Sequence, residues 1–218
     1  MKKLATLSVV LMLILCIPVL GIALENSGNP ENFCRNGLFP QEGPEIKLAK
    51  LVGPKNAKVH FLKDDEGCPK TKDLNCQAKS YVIPGDQVLV SRKYGNWVCS
   101  WYQTKQENET VGWLPAESLI ISEPEANLAL EKWIGTWTNY DKSLNIWKDN
   151  KTGFLTVEGE EVFRATSKPQ GTELMLVDEL CEVTLRLIGN YMLANADEAC
   201  GGTNGGFTGI YLKPEANK

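Results

Sequence analysis

Histidine is nearly absent from this sequence, whose 218 residues include only His60. A single imidazole rules out catalytic schemes that need two, and it makes a mixed histidine and cysteine metal site difficult to build. His60 alternates with the apolar Val59 and Phe61, so we expect its side chain to point to solvent from a strand. The motifs C-x-x-C, G-x-S-x-G, H-E-x-x-H and the Walker phosphate loop are missing as well. We therefore predict a protein that is not an enzyme and that holds no metal and no cofactor.

A large excess of charge of either sign is also lacking. The 23 lysines and arginines are nearly balanced by 27 aspartates and glutamates, which leaves a net charge of −4. This balance disfavours a nucleic-acid partner, because binding a phosphate backbone requires a basic surface. Neighbouring acids recur, as in Asp64-Asp65-Glu66 and Asp178-Glu179, but their linear spacing does not place two carboxylates across a sugar-sized cleft. We expect these acids to be solvated charges of loops and strand ends.

The N-terminus has the features of a secretory signal peptide. Met1-Lys2-Lys3 is basic, residues 4–20 are apolar, and Gly21-Ile22-Ala23 offers small residues for a cleavage site. An uncleaved anchor is the alternative, because about 20 apolar residues span a bilayer, but Pro18 and Gly21 favour cleavage. We predict that residues 1–23 are removed. Their loss eliminates two lysines and no acids, so that the net charge changes from −4 to −6 and no segment stays in the membrane.

Six of the seven cysteines follow this segment. An even number of cysteines in an exported chain predicts disulfide bonds and a periplasmic or secreted bacterial protein. Cys181 and Cys200 are alone in the C-terminal half, and we expect them to pair with each other. The other four cysteines allow three pairings, among which we favour Cys34–Cys68 with Cys76–Cys99.

Short segments of strand character, separated by turn residues, predict an all-β chain. Pro84-Gly85-Asp86 and Tyr94-Gly95-Asn96 contain residues that favour turns. Residues 24–44 are rich in Asn, Gly, Pro and Glu, and we expect them to form an irregular arm that is attached through Cys34. A first module over residues 45–121 is predicted to contain six strands: Ile46–Val52, Ala57–Leu62, Ala78–Ile83, Gln87–Arg92, Trp97–Gln103 and Thr110–Leu114.

A helical linker is predicted between this module and the next. Ser122-Glu123-Pro124-Glu125 has the pattern of a capping box, with serine at the N-cap and glutamate three positions later. We expect a short helix through Ala129 to Lys132, within a linker of residues 122–133.

A second β module is predicted over residues 134–213, before a tail of residues 214–218. Its apolar residues alternate with polar ones, which is typical of half-buried antiparallel strands. Asp149-Asn150-Lys151-Thr152-Gly153 has oxygen ligands for calcium, but it fits better a hairpin turn with Gly153 at positive φ. Eight short strands are predicted, and this number can close into a small barrel: Gly135–Tyr140, Ser143–Lys148, Phe154–Glu158, Val162–Thr166, Thr172–Asp178, Glu182–Ile188, Tyr191–Asn195 and Phe207–Leu212.

Three segments of the first module, Ser80–Val90, Gly95–Tyr102 and Thr110–Leu119, resemble bacterial SH3 (SH3b) domains. They contain a Gly-Asp turn that leads into a strand, an aromatic residue after the next turn, and a Gly-Trp before a closing turn that ends in leucine. The resemblance implies an SH3-like barrel that recognises peptidoglycan stem peptides or an envelope protein.

Aromatic residues cluster near these segments, and all six tryptophans lie between Trp97 and Trp147. SH3-like domains form shallow peptide grooves from such side chains; the alternative is that they pack in a core. Strand alternation places Trp97 and Trp101 on one face and Tyr102 on the other. The side chains assigned to ligand binding are Tyr94, Trp97, Trp101 and Tyr102.

The second module resembles lipocalin and avidin barrels at Gly135-Thr136-Trp137, where the tryptophan closes one barrel end. The segment from Cys200 to Tyr211 has a Cys-Gly-Gly…Phe-x-Gly-x-Tyr ending that resembles the C-terminus of some secreted bacterial proteins. The resemblance implies a small β barrel with Trp137 and Tyr211 at its closure.

We therefore expect a non-enzymatic envelope protein that binds peptidoglycan or a protein partner. One alternative is an inhibitor or immunity protein against a cell-wall hydrolase or toxin, because a small acidic β protein suits a basic active-site cleft. Another is a carrier of a small apolar ligand, which would require that leucine, valine and phenylalanine side chains do not fill the barrel. The oligomeric state is left open.

Overall fold

The structure is a computed structural model that describes Cys34, Phe39 and residues 46–64, 68–69, 74–104, 108–123, 125, 128–140, 142–159, 163–200 and 206–214. The predicted signal peptide and most of the predicted arm lie outside the described residues. Within the described part, the chain is all-β, with fifteen strands in two antiparallel sheets. This confirms the predicted fold class. None of the helices in this part is long and apolar enough to cross a membrane.

The first sheet contains the six predicted strands and a short seventh one. The strands are β1 (Lys47–Leu51), β2 (Val59–Leu62), β3 (Gln77–Val82), β4 (Gln87–Tyr94), β5 (Trp97–Gln103), β6 (Glu109–Pro115) and β7 (Leu119–Ile121), and we call the part of the chain that forms them the first half. Their order in the sheet is β3-β2-β6-β5-β4-β1-β7. The seventh strand pairs with the first, as Ile121 does with Ala49.

Gly112 explains how closely β6 approaches β2. A Cβ atom at this position would lie 2.7 Å from the carbonyl oxygen of Leu62 and 3.2 Å from Cβ of Phe61. The next residue, Trp113, pairs with Leu62, and its side chain is fully buried. The Gly-Trp pair therefore combines a close backbone contact with a large buried ring.

The second sheet contains eight strands, as predicted, and forms a nearly closed barrel. The strands are β8 (Gly135–Asn139), β9 (Lys142–Lys148), β10 (Leu155–Gly159), β11 (Arg164–Ser167), β12 (Glu173–Asp178), β13 (Cys181–Ile188), β14 (Tyr191–Ala196) and β15 (Gly209–Leu212), and we call the part of the chain that forms them the second half. Their order in the sheet is β11-β10-β9-β8-β15-β14-β13-β12, and the terminal strands β11 and β12 approach each other.

The interior of this barrel is filled by the inward residues of the alternating strands. Trp137 and Tyr211 are both buried there. Trp137 donates from Nε1 to the carbonyl oxygen of Trp133 at 2.8 Å, and the Tyr211 hydroxyl donates to the carbonyl oxygen of Phe207 at 2.9 Å. They pack with a fully buried set that includes Leu144, Leu155, Val157, Leu174, Leu176, Val183, Leu185 and Leu187.

The segment between the two sheets is less regular than the predicted helix. Its described residues contain one 3₁₀ turn, Leu130–Lys132, in place of a longer helix that starts at the capping box. The N–H of Trp133 closes this turn on the carbonyl oxygen of Leu130.

The structure confirms disulfide bonding and corrects the pairing of four cysteines. Cys181–Cys200 forms as predicted. The expected pairs Cys34–Cys68 and Cys76–Cys99 are wrong, because the bonds observed are Cys34–Cys99 and Cys68–Cys76. Cys68 and Cys76 both lie in the connection between β2 and β3, and the pairing of these strands brings its ends together. Cys34 packs in the same buried cluster as Cys99 and Trp113.

The Asp149 turn is a hairpin turn between β9 and β10. Oδ1 of Asp149 accepts hydrogen bonds from the backbone N–H of Thr152 at 2.7 Å, from its hydroxyl at 2.9 Å and from the N–H of Lys151 at 2.9 Å. These bonds, led by the one from the Thr152 N–H, hold the pKa of Asp149 below its ordinary value. Gly153 has φ +73°, the positive value that the turn requires.

Candidate functional site

The four aromatic residues assigned to ligand binding divide between two cores. Trp97 and Trp101 pack in the cluster that contains Cys99 and Trp113, whereas Tyr102 packs on the opposite side of β5. Trp97 and Trp101 therefore lie on one face of β5 and Tyr102 on the other, as alternation predicted. Tyr94 joins the first group, with its ring centroid 6.0 Å from that of Trp113.

Trp101 is not accessible to a ligand, because its side chain is only 2% exposed. The ring of Tyr191, in β14, meets it edge-on at a centroid distance of 5.7 Å and an interplanar angle of 88°. The four aromatic side chains thus do not form one open surface. The reason is that the second half covers the face of β5 on which Trp101 lies.

The two halves share a continuous apolar core at this contact. Leu89 and Trp101 of the first half pack with Tyr191, Leu193 and Ile210 of the second. The Tyr191 hydroxyl donates to the carbonyl oxygen of Gln87 at 3.2 Å, and burial raises the pKa of Tyr191 to about 12. The run Tyr191-Met192-Leu193-Ala194 is apolar on both faces of its strand. A strand that is apolar on both faces is typically covered on both sides, so this run is the sequence signal that could have predicted the contact.

Asp64 is buried, contrary to the expectation for the acidic loop, with 7% of its surface exposed. Its Oδ2 accepts the backbone N–H of Cys34 at 2.9 Å, and its Oδ1 accepts the Nε1–H of Trp113 at 3.1 Å. The carboxylate therefore connects Cys34 to β6. It has a structural position, and its neighbours Asp65 and Glu66 lie outside the described residues.

His60 does not point freely to solvent as expected but is half-buried. Its Nδ1 lies 3.0 Å from the carbonyl oxygen of Ala78, and its ring centroid lies 5.5 Å from that of Tyr81. The imidazole is thus engaged with strand β3.

A cleft of about 190 Å³ opens where the two halves meet, and we call it the junction cleft. Its floor is apolar, and its charged side chains carry both signs. The apolar part includes Ile46, Leu48, Leu128, Leu187 and Ile188. The charged residues are Lys47, Glu123, Glu125, Glu173 and Arg186.

Arg186 and Gly189 bring the walls of the junction cleft together. Nη2 of Arg186, in β13, donates to the carbonyl oxygen of Ile46 at 2.9 Å. Gly189, in the turn after β13, has φ +60°, and a Cβ atom there would lie 2.8 Å from Cδ2 of Leu48. The guanidinium carries five N–H donors, so one bond to Ile46 leaves it able to bind a ligand anion.

The acids of the junction cleft are exposed, which leaves them accessible from solvent. Glu125 forms an ion pair with Lys132, with Oε2 and Nζ 2.6 Å apart. Glu123 and Glu173 both line the cleft but come from different halves, since one follows β7 and the other begins β12. A small molecule with both an amine and a carboxylate would find partners of opposite charge in this space.

The chain matches no protein-family model, no curated protein and no solved structure.

A group of potential metal ligands in the described part of the chain does not offer a thiolate site. Cys181, Asp197 and Cys200 bring ligand atoms within 4.8 Å of one another. Metal binding by cysteine needs thiolates, whereas Cys181 and Cys200 are joined in a disulfide. The arrangement is a disulfide beside a carboxylate.

The junction cleft was not foreseen from the sequence. Its charged residues come from β1, the connection after β7, and strands β12 and β13, so no local motif unites them. The one indirect signal is Gly189, since a glycine between two strands indicates a tight turn.

Proposed function

We propose that this protein is a non-enzymatic binding protein of the bacterial periplasm or of secreted material, and that its junction cleft recognises peptidoglycan stem peptides. The resemblance of the first half to SH3b domains supports peptidoglycan stem peptides as the class of ligand. Three disulfides suit an oxidising compartment, and the predicted signal peptide would direct the chain there.

The observation that carries the proposal is the combination of both charge signs over an apolar floor in the junction cleft. A stem peptide is short and has free carboxylates and the amine of a diamino acid. Arg186 and Lys47 are suited to a carboxylate, and Glu123 and Glu173 to an ammonium group. The apolar floor suits the methyl groups of its alanines.

The size of the cleft sets how much of the peptide enters. At about 190 Å³, it is smaller than the roughly 300–1,000 Å³ that is usual for drug-sized ligands. We therefore propose that one or two residues of the stem peptide, including a charged end, occupy it, while the glycan remains outside.

Calorimetric titration with a synthetic stem tetrapeptide tests the proposal. We expect saturable binding that Glu123→Lys and Arg186→Gln each weaken by about ten-fold or more, because a charge-assisted hydrogen bond contributes about 1.5–3 kcal/mol. Glu117→Lys makes the same charge change at an exposed residue that does not line the cleft, and it should alter the affinity less than about two-fold.

Retention on purified cell-wall sacculi provides a second measurement with the same variants. The wild-type protein and Glu117→Lys should sediment with sacculi, and Glu123→Lys should remain largely in solution. Absence of retention, together with no saturable binding of the tetrapeptide up to about 10 mM, would refute the proposal. Equal binding by Glu123→Lys and wild type would place the site elsewhere.

A further inference from the structure

Three apolar side chains project from the outer surface of the second half, around the hairpin of β12 and β13. Met175 is 64% exposed, Val177 is 56% exposed, and Leu180, in the turn of the hairpin, is 82% exposed. Leu174 and Leu176, which alternate with them, are fully buried in the barrel. Met175 and Val177 therefore lie on the same outward face, and we call the three residues the docking strip.

Acidic side chains lie at both ends of the docking strip. Glu173 is two residues before Met175 on the same face of β12, and it is exposed. Glu182 pairs directly with Val177 across the hairpin and is exposed. Glu179 precedes Leu180 and is also exposed. The arrangement is an apolar centre with a negative rim.

Two basic residues lie at the borders of this surface. Arg186 stands opposite Glu173 in the register of β12 and β13, and its Nη2 donates to the carbonyl oxygen of Ile46 in the first half. Arg164, on the neighbouring end strand β11, has its guanidinium carbon 5.4 Å from the ring centroid of Trp147. The rim beside Val177 and Leu180 is formed by Glu179 and Glu182, which give it a negative charge.

We propose that the docking strip binds a protein whose contact surface is apolar and ringed by lysine or arginine. Exposed contiguous apolar side chains rimmed by polar groups mark interaction sites in soluble proteins, and complementary charge selects the partner. An anionic membrane would be repelled by the three glutamates. This surface is separate from the peptide site of the junction cleft, apart from Glu173, which borders both.

The test uses a synthetic amphipathic helical peptide of leucine and lysine as the probe, titrated into the full-length protein. We expect saturable binding that shifts the methyl NMR signals of Met175, Val177 and Leu180 and that weakens as salt is added. A peptide with serine in place of leucine keeps the charge, and a peptide with glutamate in place of lysine keeps the apolar face. Both should bind at least about ten-fold more weakly.

Variants of the protein locate the contact. The double variant Met175→Thr/Val177→Thr removes apolar side chains from the strip, and threonine is a residue that strands accommodate well. It should weaken binding of the leucine–lysine peptide about ten-fold or more. Glu179→Gln with Glu182→Gln should weaken it and reduce its salt dependence. Ile120→Thr with Ile121→Thr is the matched control, because these residues are an exposed apolar pair in the first half, and it should have less than about a two-fold effect.

Several results would overturn the proposal. The first is the absence of saturable binding of the leucine–lysine peptide. The second is that the serine peptide binds as tightly as the leucine–lysine peptide, or that Met175→Thr/Val177→Thr binds the leucine–lysine peptide as tightly as wild type does. The third is that the protein binds phosphatidylglycerol vesicles more tightly than the leucine–lysine peptide. Binding of the stem tetrapeptide should be the same in the docking-strip variants and in wild type, so that failure of one site leaves the other measurable.

Discussion

Asp64 shows how one charged side chain stabilises the first half. Its carboxylate is buried and accepts N–H groups from Cys34, which precedes the first sheet, and from Trp113 in β6. A buried carboxylate is tolerated when hydrogen bonds compensate for the lost hydration. Asp64 thereby connects Cys34 to the sheet independently of the Cys34–Cys99 disulfide.

Replacing this carboxylate tests its contribution. We expect Asp64→Ala to lower the free energy of unfolding by about 2–4 kcal/mol, because two buried donors lose their acceptor. Asp64→Asn keeps one acceptor oxygen and should cost less. Urea denaturation under oxidising conditions measures both changes.

Glu117→Ala is the control for Asp64, since Glu117 is exposed and should change stability by no more than about 0.5 kcal/mol. A loss for Asp64→Ala as small as that of the control would contradict the role of the buried carboxylate.

At the scale of elements, strand character between turn residues predicted the strands of the first half, and alternation predicted those of the second. All fourteen predicted segments contain strands, because turn residues separate short strands and a strand with one buried face repeats apolar residues with a period of two. The strand that was missed, β7, has three residues, Leu119–Ile121, of which two are exposed, so its sequence carries no alternation. The predicted helix after it shortens to one 3₁₀ turn.

The disulfides connect elements, and the two bonds of the first half should differ in their effects. Cys34–Cys99 spans 65 residues and Cys68–Cys76 spans 8. In the chain-entropy model, these closures stabilise by about 4 and about 2.5 kcal/mol respectively. We therefore expect Cys34→Ala/Cys99→Ala to lower the free energy of unfolding more than Cys68→Ala/Cys76→Ala does.

Peptide mapping without reduction checks the pairing directly. Trypsin cleaves after Lys70 and Lys72, which lie between Cys68 and Cys76, so the linked peptides are distinguishable by mass spectrometry. A peptide that joins Cys34 to Cys68 would contradict the structure, as would the opposite order of stability in the two double variants.

At the scale of the whole molecule, the two halves are joined by their outer faces. Trp101 and Tyr191 meet there, and Arg186 and Tyr191 each donate a hydrogen bond to the first half. A shared apolar core couples the unfolding of the parts that it joins. The junction cleft owes its shape to the same contact.

This coupling predicts one unfolding transition for the wild type. Tyr191→Ala should remove about 3–5 kcal/mol of packing and separate the calorimetric trace into two transitions. Tyr191→Phe keeps the ring and loses only the hydrogen bond to Gln87, so it should cost about 1 kcal/mol and retain a single transition.

Tyr140→Phe is the matched control for the whole-molecule prediction. The hydroxyl of Tyr140 also forms a hydrogen bond between the halves, to Oε2 of Glu109 at 2.8 Å. Because Tyr140 is exposed, its substitution should lower the free energy of unfolding by less than about 0.5 kcal/mol. Two transitions in the wild type, or one in Tyr191→Ala, would contradict the proposed coupling.

The sequence by itself determined the all-β class, fourteen of the strands, the Cys181–Cys200 pair and the hairpin turn with Gly153. The fold class, the strands and the turn depend on the spacing of residues close together in the sequence. The Cys181–Cys200 pair follows because these are the only two cysteines in the C-terminal half. Only the tertiary structure decided that Trp101 is covered by Tyr191, that Asp64 is buried, that Cys34 pairs with Cys99, and that Arg186 and Glu123 line the same cleft. The physical reason is that alternation tells which side chains point to the same face of a sheet. What those side chains contact is decided by the packing of the outer faces of the two sheets, which are formed by residues far apart in the sequence.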